Sequence, residues 1–233
     1  MKRAARPGVG YAMNKTEISL PPPQLKGRFS LEEMIAKRRS VRTFLAEPLT
    51  LSQLGQILWA AQGLSAERTL KTAPSAGATY PLEIFVLIGK QSITTSEAQL
   101  ASDELQAGIY HYEAQSHSLR LHKPGDSRPD LARAAVNQEF VLGAPVDIVI
   151  CALYHRTCSR YGKRGERYTH MEVGHVGENI HLQAVALDLA TVEVGAFHDE
   201  EVREILGVEE HIRPLYIMPV GHTTSKMASP FDW

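Results

Sequence analysis

The sequence predicts a single α+β domain, and three observations support this prediction. The chain has 233 residues, of which 43% are hydrophobic and 22% are charged, a length and composition that suit one sizeable core and are short for two independent domains. Helix and strand patterns follow one another without regular βα alternation, and no internal repeat or low-complexity tract interrupts them. We therefore expect an arm at residues 1–29, one domain at 30–223 and a tail at 224–233.

The chain begins with an arm followed by two helices. Residues 1–29 combine basic residues with a proline run at Pro21–Pro23, which predicts an arm rather than a packed element. Ser30 is the N-cap of a helix with an acidic first turn. Thr50 caps a second helix, which Gly63 ends. One stripe of this second helix is apolar: Leu51, Leu54, Ile57, Leu58 and Ala61.

The remaining elements are a mixture of strands and helices. We predict a strand at 82–89, a hairpin of strands at 108–114 and 118–123, a helix at 130–141, a buried strand at 146–154, a long helix from about 167 to 189, a strand-like stretch at 191–197, a short helix at 200–206 and a last strand at 214–221. In the long helix, Gly174, Gly177, His181 and Ala184 recur at steps of three and four residues. Small residues at this spacing predict a close helix-on-helix contact and suit a subunit interface.

Composition and charge argue against several functional classes. A net charge of −1 and an aromatic content of 7% do not favour a nucleic-acid surface. The longest apolar run, Ile148–Tyr154, is far shorter than a bilayer span, and the basic N-terminus has no apolar core typical of a secretory signal. His170, His175 and His181 are spaced for different helix faces, so we expect no metal site. These features predict a cytoplasmic protein that binds neither nucleic acid nor membrane.

Two segments are candidates for ligand binding. Lys37–Arg42 places an arginine cluster and Ser40 at the end of a helix, a combination suited to phosphate; the alternative is a solvated basic helix end. Pro74–Pro81 is a turn of small residues that lets a flat ligand approach the backbone; the alternative is an ordinary connecting loop. No GxGxxG or P-loop pattern is present, so a Rossmann dinucleotide site is not supported.

Together these segments resemble the nitroreductase superfamily of flavoproteins, and more closely its SagB-type dehydrogenase branch, which includes azoline oxidases. The resemblance rests on RRSVRTF, PLTLSQLGQILWAAQG, PSAGATYPLEIFVLIG, GHVGENIHLQAVALDL and VGAF in this order, and it spans about residues 16–223. It implies a central mixed, largely antiparallel sheet flanked by helices, FMN as cofactor, NADH or NADPH as electron donor, and a homodimer with FMN at the subunit interface.

The resemblance also implies roles for individual residues. Arg38 and Ser40, with Arg39 beside them, would hold the FMN phosphate and ribityl chain, and Arg42 would reach the ribityl and pyrimidine side. A basic residue near the C-terminus, His222 or Lys226, would complete the phosphate site. The turn lining the isoalloxazine, typically from the partner subunit, would be Pro74, Ser75, Ala76 and Gly77, while Val194 and Gly195 would offer main-chain amides to the reactive ring nitrogen.

One departure from the branch affects the predicted chemistry. Azoline oxidases carry a Lys-Tyr pair where this chain has Arg160 and Tyr161, and arginine stays protonated, so Arg160 cannot act as the base. Arg160 either pairs with an acidic neighbour or orients an anionic substrate. Glu193 and Asp199, which flank the VGAF segment, are interpreted as solvated loop acids.

The sequence thus predicts an FMN-dependent NAD(P)H oxidoreductase acting on a small molecule such as a nitroaromatic or quinone. Two alternatives stay open: a dehydrogenase that oxidises a peptide-derived azoline, and a flavin-binding protein without turnover.

Overall fold

An antiparallel sheet of seven strands organises the fold in the computed structural model, which describes residues 17–65, 70–95 and 105–224. The strand order is β1-β6-β5-β3-β7-β9-β8, and each neighbouring pair is antiparallel; β2 and β4 form a separate parallel pair. The strands are β1 (Glu17–Ser19), β2 (Leu49–Thr50), β3 (Leu82–Ile88), β4 (Ile93–Thr94), β5 (Gly108–Glu113), β6 (Ser118–Pro124), β7 (Val146–Ala152), β8 (Ala190–Thr191) and β9 (Arg213–Gly221).

Helices cover both faces of this sheet and confirm the predicted α+β class. They are α1 (Leu31–Lys37), α2 (Leu51–Gln62), α3 (Arg128–Ala134), α4 (Glu139–Gly143), α5 (Tyr154–Tyr161), α6 (Arg164–Ala186) and α7 (Asp199–Leu206). Helices α2 and α6 pack on one face, and α3, α4 and α7 pack on the other, so that β3 and β7 are buried between two apolar clusters. Among the described residues, no helix combines the length and apolar character needed to cross a membrane.

The helix starts at Ser30 and Thr50 are confirmed by their caps. The Ser30 hydroxyl accepts the amide of Glu33, whose carboxylate accepts the Ser30 amide, and Thr50 and Gln53 repeat this arrangement. Such reciprocal bonds satisfy backbone donors that the first helical turn otherwise leaves unpaired. Both helices therefore begin at residues fixed by local sequence.

Three predictions of element extent were wrong. The helix expected at 130–141 is two helices, because Val136 and Asn137 adopt left-handed φ angles of 58° and 55° that a helix interior does not allow. The stretch 191–197 contributes only β8 and one isolated bridge from Val194 to Ile217. The separate helix α5 was missed.

Part of the predicted arm is packed. From Glu17 onward the chain forms β1 on the edge of β6, and Ile18 and Leu20 are buried. His117 holds this segment, since its backbone carbonyl accepts the Leu20 amide and its ring lies 3.0 Å from the carbonyl oxygen of Pro21. Alternation in so short a strand is too weak a signal to separate from an arm.

Within the chain, part of the small-residue stripe of α6 faces β8 and the segment after it. A Cβ on Gly177 would lie 3.3 Å from the Glu193 carboxylate of the same chain, while His181 and Ala184 are fully buried in the chain's own core. Gly174 alone is exposed. The small residues thus allow β8 and the segment after it to approach α6, and a subunit interface stays a prediction.

Candidate functional site

The segment after α1 lies beside the end of the sheet formed by β8 and β9. The Val41 amide donates to the Thr191 carbonyl at 3.0 Å, and the Leu45 amide donates to the His222 carbonyl at 2.8 Å. These bonds bring the segment 38–42 next to His222, as the predicted phosphate site requires. Lys226 lies outside the described residues.

The three arginines of this segment have different surroundings. The Arg39 guanidinium donates to the carbonyls of Ala36 and Arg38. Arg39 thus interacts with the C-terminal end of α1, as the alternative of a solvated basic helix end predicts. Arg42 lies 5.9 Å from the centre of the Phe140 ring, and Ser40 is exposed. Arg38 faces α6, with its Nε 4.0 Å from a Glu178 carboxylate oxygen, a distance that leaves its donors available.

The VGAF segment is fixed by Glu193, which sequence reasoning had treated as a solvated loop acid. That interpretation was wrong: a Glu193 carboxylate oxygen lies 2.6 Å from Nε2 of the fully buried His181. Burial by itself would raise the pKa of Glu193, but the His181 hydrogen bond and the nearby Arg38 outweigh burial and lower it. The carboxylate therefore stays charged between α6 and Arg38. Asp199 opens α7 and is exposed.

The two predicted amide donors differ in availability. The Val194 amide donates to the Ile217 carbonyl at 2.9 Å, so it is already engaged within the chain. The Gly195 amide donates no hydrogen bond to any residue that the structure describes. Of the pair, Gly195 is thus the one free to meet a ligand.

The turn from Pro74 to Gly77 closes with a short 3-10 turn, Ala76–Ala78, in which Gly77 has a φ of 59°. The Ser75 hydroxyl accepts the Tyr80 amide at 3.0 Å, which ties the two ends of the turn together. Left-handed backbone is inexpensive for glycine and costly for other residues. Gly77 therefore takes the left-handed conformation at little cost, and Ala78 and Tyr80 share it with φ angles of 53° and 46°.

Helix α5 fastens this turn from outside. Arg156 donates to the Tyr80 carbonyl at 2.9 Å, the hydroxyls of Thr79 and Thr157 are 2.8 Å apart, and Arg160 donates to the Gly77 carbonyl at 3.0 Å. A Cβ on Gly77 would lie 2.5 Å from the Tyr161 hydroxyl oxygen. Arg160 and Tyr161 are therefore brought to the turn, and Arg160 is held there by a neutral carbonyl rather than by an acid.

A buried polar network supports the turn from below, and the sequence analysis missed it. Glu172 is 2% exposed and interacts with the Ser75 side chain, and the Gln62 amide donates to its carboxylate at 3.4 Å. The Lys71 ammonium donates to the Gln62 carbonyl oxygen at 2.5 Å. Burial raises the pKa of Glu172 and lowers the pKa of Lys71. No sequence motif signals this network, because its members come from separate segments.

Within one chain, the phosphate segment and the turn do not meet. The segment 38–42 lies at Thr191, at the end of the sheet where β3 reaches Ile88, whereas the turn precedes Leu82 at the opposite end of β3. Six residue steps along a strand span about 20 Å. The two predicted parts of the flavin site are thus separated within the monomer.

The sequence and the fold are both similar to those of known proteins. A family model described as "Nitroreductase family" matches residues 35–222. The protein "Putative nitroreductase MJ1384" of Methanocaldococcus jannaschii is 46% identical over 205 residues, covering 88% of this chain and 96% of that protein. The crystal structure titled "putative nitroreductase" from Ralstonia eutropha JMP134 is 27% identical with a TM-score of 0.75, and the match covers 94% of each chain.

A second relative is more distant. The trifolitoxin operon protein TfxC of Rhizobium leguminosarum bv. trifolii is 24% identical over 212 residues, covering 88% of this chain and 59% of TfxC. The chain thus spans about three fifths of the length of that relative. On the family match and the 46% identical relative, the chain belongs to the nitroreductase family.

Proposed function

We propose that the protein is an FMN-dependent oxidoreductase that passes electrons from NADH or NADPH to a small acceptor such as a nitroaromatic or quinone. Membership of the nitroreductase family supports an oxidoreductase. One observation favours reduction over azoline oxidation: the position beside Tyr161 is Arg160, whose guanidinium donates to the Gly77 carbonyl. Because arginine keeps its proton, this position offers no base to begin an azoline oxidation.

The residues present fit FMN. No acid of the described residues lies closer to Arg38 than 4.0 Å, and Ser40 and Arg42 are exposed beside it, which suits a dianionic phosphate and a polar ribityl chain. The unengaged amide of Gly195 is a donor available to a flavin ring nitrogen. The left-handed turn at Gly77 has small residues of its own, and the Arg160 guanidinium and the Tyr161 hydroxyl lie against its glycine.

FMN would supply the redox chemistry when bound. The chain would contribute binding and orientation: Arg38 and Ser40 would hold the phosphate and ribityl chain, and Arg42 would reach the ribityl and pyrimidine side. His222, whose carbonyl accepts the Leu45 amide after β9, would lie beside this segment. The Gly195 N–H would donate to the ring and stabilise negative charge there. Glu193, held by His181, would keep Arg38 oriented toward α6. Tyr161, against Gly77, would line the substrate side.

We further propose that the active form is a homodimer with FMN between subunits. The phosphate segment and the turn lie at opposite ends of β3, which spans about 20 Å, and this arrangement supports a site completed by a second chain. Leu31, Ile35 and Met171 are 60%, 56% and 47% exposed on α1 and α6, which suits an interface between copies. Sedimentation should give twice 25.8 kDa with two FMN per dimer. A monomer that binds FMN tightly would contradict this.

A second candidate function is oxidation of a peptide-derived azoline within a biosynthetic complex. The similarity to TfxC, an operon protein of trifolitoxin, favours it. The presence of Tyr161 beside the turn is compatible with it. A flavin-binding protein without turnover is the third possibility that the tests must separate.

Anaerobic mixing of the purified holoprotein with NADH or NADPH tests the proposal. We expect the yellow flavin colour to bleach, and steady-state reduction of a nitroaromatic or quinone to give parallel double-reciprocal lines. Azoline oxidation without NAD(P)H-driven reduction of any acceptor would assign the second function. Flavin that neither bleaches nor oxidises an azoline would indicate a binding protein.

A further inference from the structure

A group of cations surrounds the junction of α5 and α6. Between residues 156 and 167 the chain carries Arg156, Arg160, Lys163, Arg164 and Arg167 against the single acid Glu166, although the whole chain has a net charge of −1. Arg156 is paired with Glu83 at 2.5 Å. The other four, Arg160, Lys163, Arg164 and Arg167, form no ion pair with any described residue, and they are called here the α5–α6 cation cluster.

Two members of this cluster are held in place without being neutralised. Arg160 donates to the Gly77 carbonyl at 3.0 Å, and Arg164 donates to the Tyr168 hydroxyl at 3.2 Å. Both acceptors are neutral, so each guanidinium is oriented but keeps its full charge and its remaining N–H donors. An arginine fixed in this way is prepared for a planar oxyanion, since its fork matches carboxylate geometry.

The cluster adjoins the turn and two aromatic rings. Tyr161 and Tyr168 meet edge to face with their centroids 5.2 Å apart, and the Tyr161 hydroxyl oxygen would lie 2.5 Å from a Cβ on Gly77. Tyrosine rings give apolar, rigid walls to a planar ligand. The cations, the flat walls and the turn therefore lie at one place on the surface.

We propose that the α5–α6 cation cluster selects a planar acceptor that carries a carboxylate, with Arg160 as the specificity-determining residue. This inference rests on the proposed function, because that function makes the turn the substrate side of the flavin. The carboxylate lies against Arg160 while the cations of the cluster attract it from solution. The flavin phosphate is assigned to Arg38 and Ser40, which lie outside the cluster.

Calorimetric titration of the purified holoprotein with benzoate and with benzamide tests this proposal without requiring turnover. These probes share a ring and differ in charge. We expect benzoate to bind at least about tenfold more tightly at low salt, with a preference that shrinks as salt rises. Arg160→Gln should abolish the preference, and Arg160→Lys, which keeps the charge, should retain most of it.

Arg133→Gln is the matched control, because Arg133 is an exposed arginine on α3 that pairs with Asp130, outside the cluster. It should leave the benzoate preference unchanged. Equal binding of the two probes, failure of both to bind, or a preference that survives Arg160→Gln would overturn the proposal.

The reaction itself gives a second readout. The ratio of kcat/KM for 4-nitrobenzoate to that for 4-nitrobenzyl alcohol should fall about tenfold in Arg160→Gln, and effects on flavin content cancel in this ratio. If Arg160→Gln instead lowers only the ratio of kcat/KM for NADPH to that for NADH, the cations bind the electron donor and the assignment to the acceptor is wrong. If the wild-type protein reduces no acceptor but still binds benzoate more tightly than benzamide, the proposed function is wrong, whereas the carboxylate site at Arg160 stands.

Discussion

The two regions that the proposed flavin site requires are built in opposite ways. The turn at Ser75–Gly77 is held from several sides: by its own Tyr80 amide, by α5 through Arg156 and Arg160, and by the buried Glu172 below. Among the described residues, the segment 38–42 is held to the end of the sheet by the Val41 amide and, just beyond it, by the Leu45 amide, and the nearest acid to Arg38 is 4.0 Å away.

This difference indicates that the turn and the segment 38–42 contribute to ligand binding in different ways. A turn fixed before a ligand arrives presents the same surface to every ligand and costs no reorganisation on binding. Arginines without close acids keep their donors for a phosphate, and the ligand supplies the missing partner. Removing contacts should therefore affect folding stability at the turn and ligand affinity at the segment.

The largest expected effect comes from Glu83→Gln, because Glu83 anchors Arg156 and so the turn. Its carboxylate lies 2.5 Å from Arg156 and 2.7 Å from His111. Burial would raise the pKa of Glu83, but these partners outweigh burial and lower the pKa to about 2. A shift of this size corresponds to about 3 kcal/mol of unfolding free energy at pH 7, which urea denaturation of wild type and variant would measure.

The contribution of the Glu83 carboxylate to the free energy of unfolding should depend on pH. Since the folded-state pKa lies below the ordinary value of 4.5, the contribution is complete above about pH 4.5 and is lost as the pH falls toward about 2. Glu178→Gln is the matched control at the segment: its carboxylate is 51% exposed, and its loss should cost less than about 0.5 kcal/mol. Equal costs for the two variants would remove the contrast between the regions.

At the segment, Arg38→Ala should weaken FMN binding with little change in the stability of the flavin-free protein. A charged hydrogen bond contributes about 1.5–3 kcal/mol, or roughly ten- to hundredfold in the dissociation constant. Fluorescence titration of FMN into the flavin-free protein measures this. Arg39→Ala should change affinity by about threefold or less, since its guanidinium lies on the helix carbonyls. An Arg38→Ala protein purified with full flavin would place Arg38 outside the site.

The smallest expected effect is that of Gly77→Ala, which tests whether the turn needs its left-handed residue. Alanine at a φ of 59° should destabilise the flavin-free protein by about 1–2 kcal/mol and displace Tyr161. Gly174→Ala is the control, because a Cβ there meets no neighbouring atom within 4 Å and alanine favours a helix by about 0.5–1 kcal/mol. A stabilising Gly77→Ala would show that the turn relaxes freely.

Local patterns were sufficient where the physical cause is itself local. The caps at Ser30 and Thr50 predicted where α1 and α2 begin, and the end of α2 at Gly63 also followed from sequence. Predictions failed where long-range contacts decided the outcome. Val136 and Asn137 carry no glycine or proline signal for the break between α3 and α4. Glu193 has the sequence neighbours of a loop acid, yet it is paired with a buried histidine twelve residues away.

The sequence by itself determined the α+β class, the order of most elements and the family, because amphipathic spacing, caps and ordered motifs are properties of contiguous residues. Tertiary structure alone decided which arginine of the segment turns to its own helix, which amide of Val194 and Gly195 stays available, and that Arg160 meets a carbonyl instead of an acid. These outcomes depend on groups brought together from distant parts of the chain, since hydrogen bonds and ion pairs form between whichever groups the packed core leaves within reach.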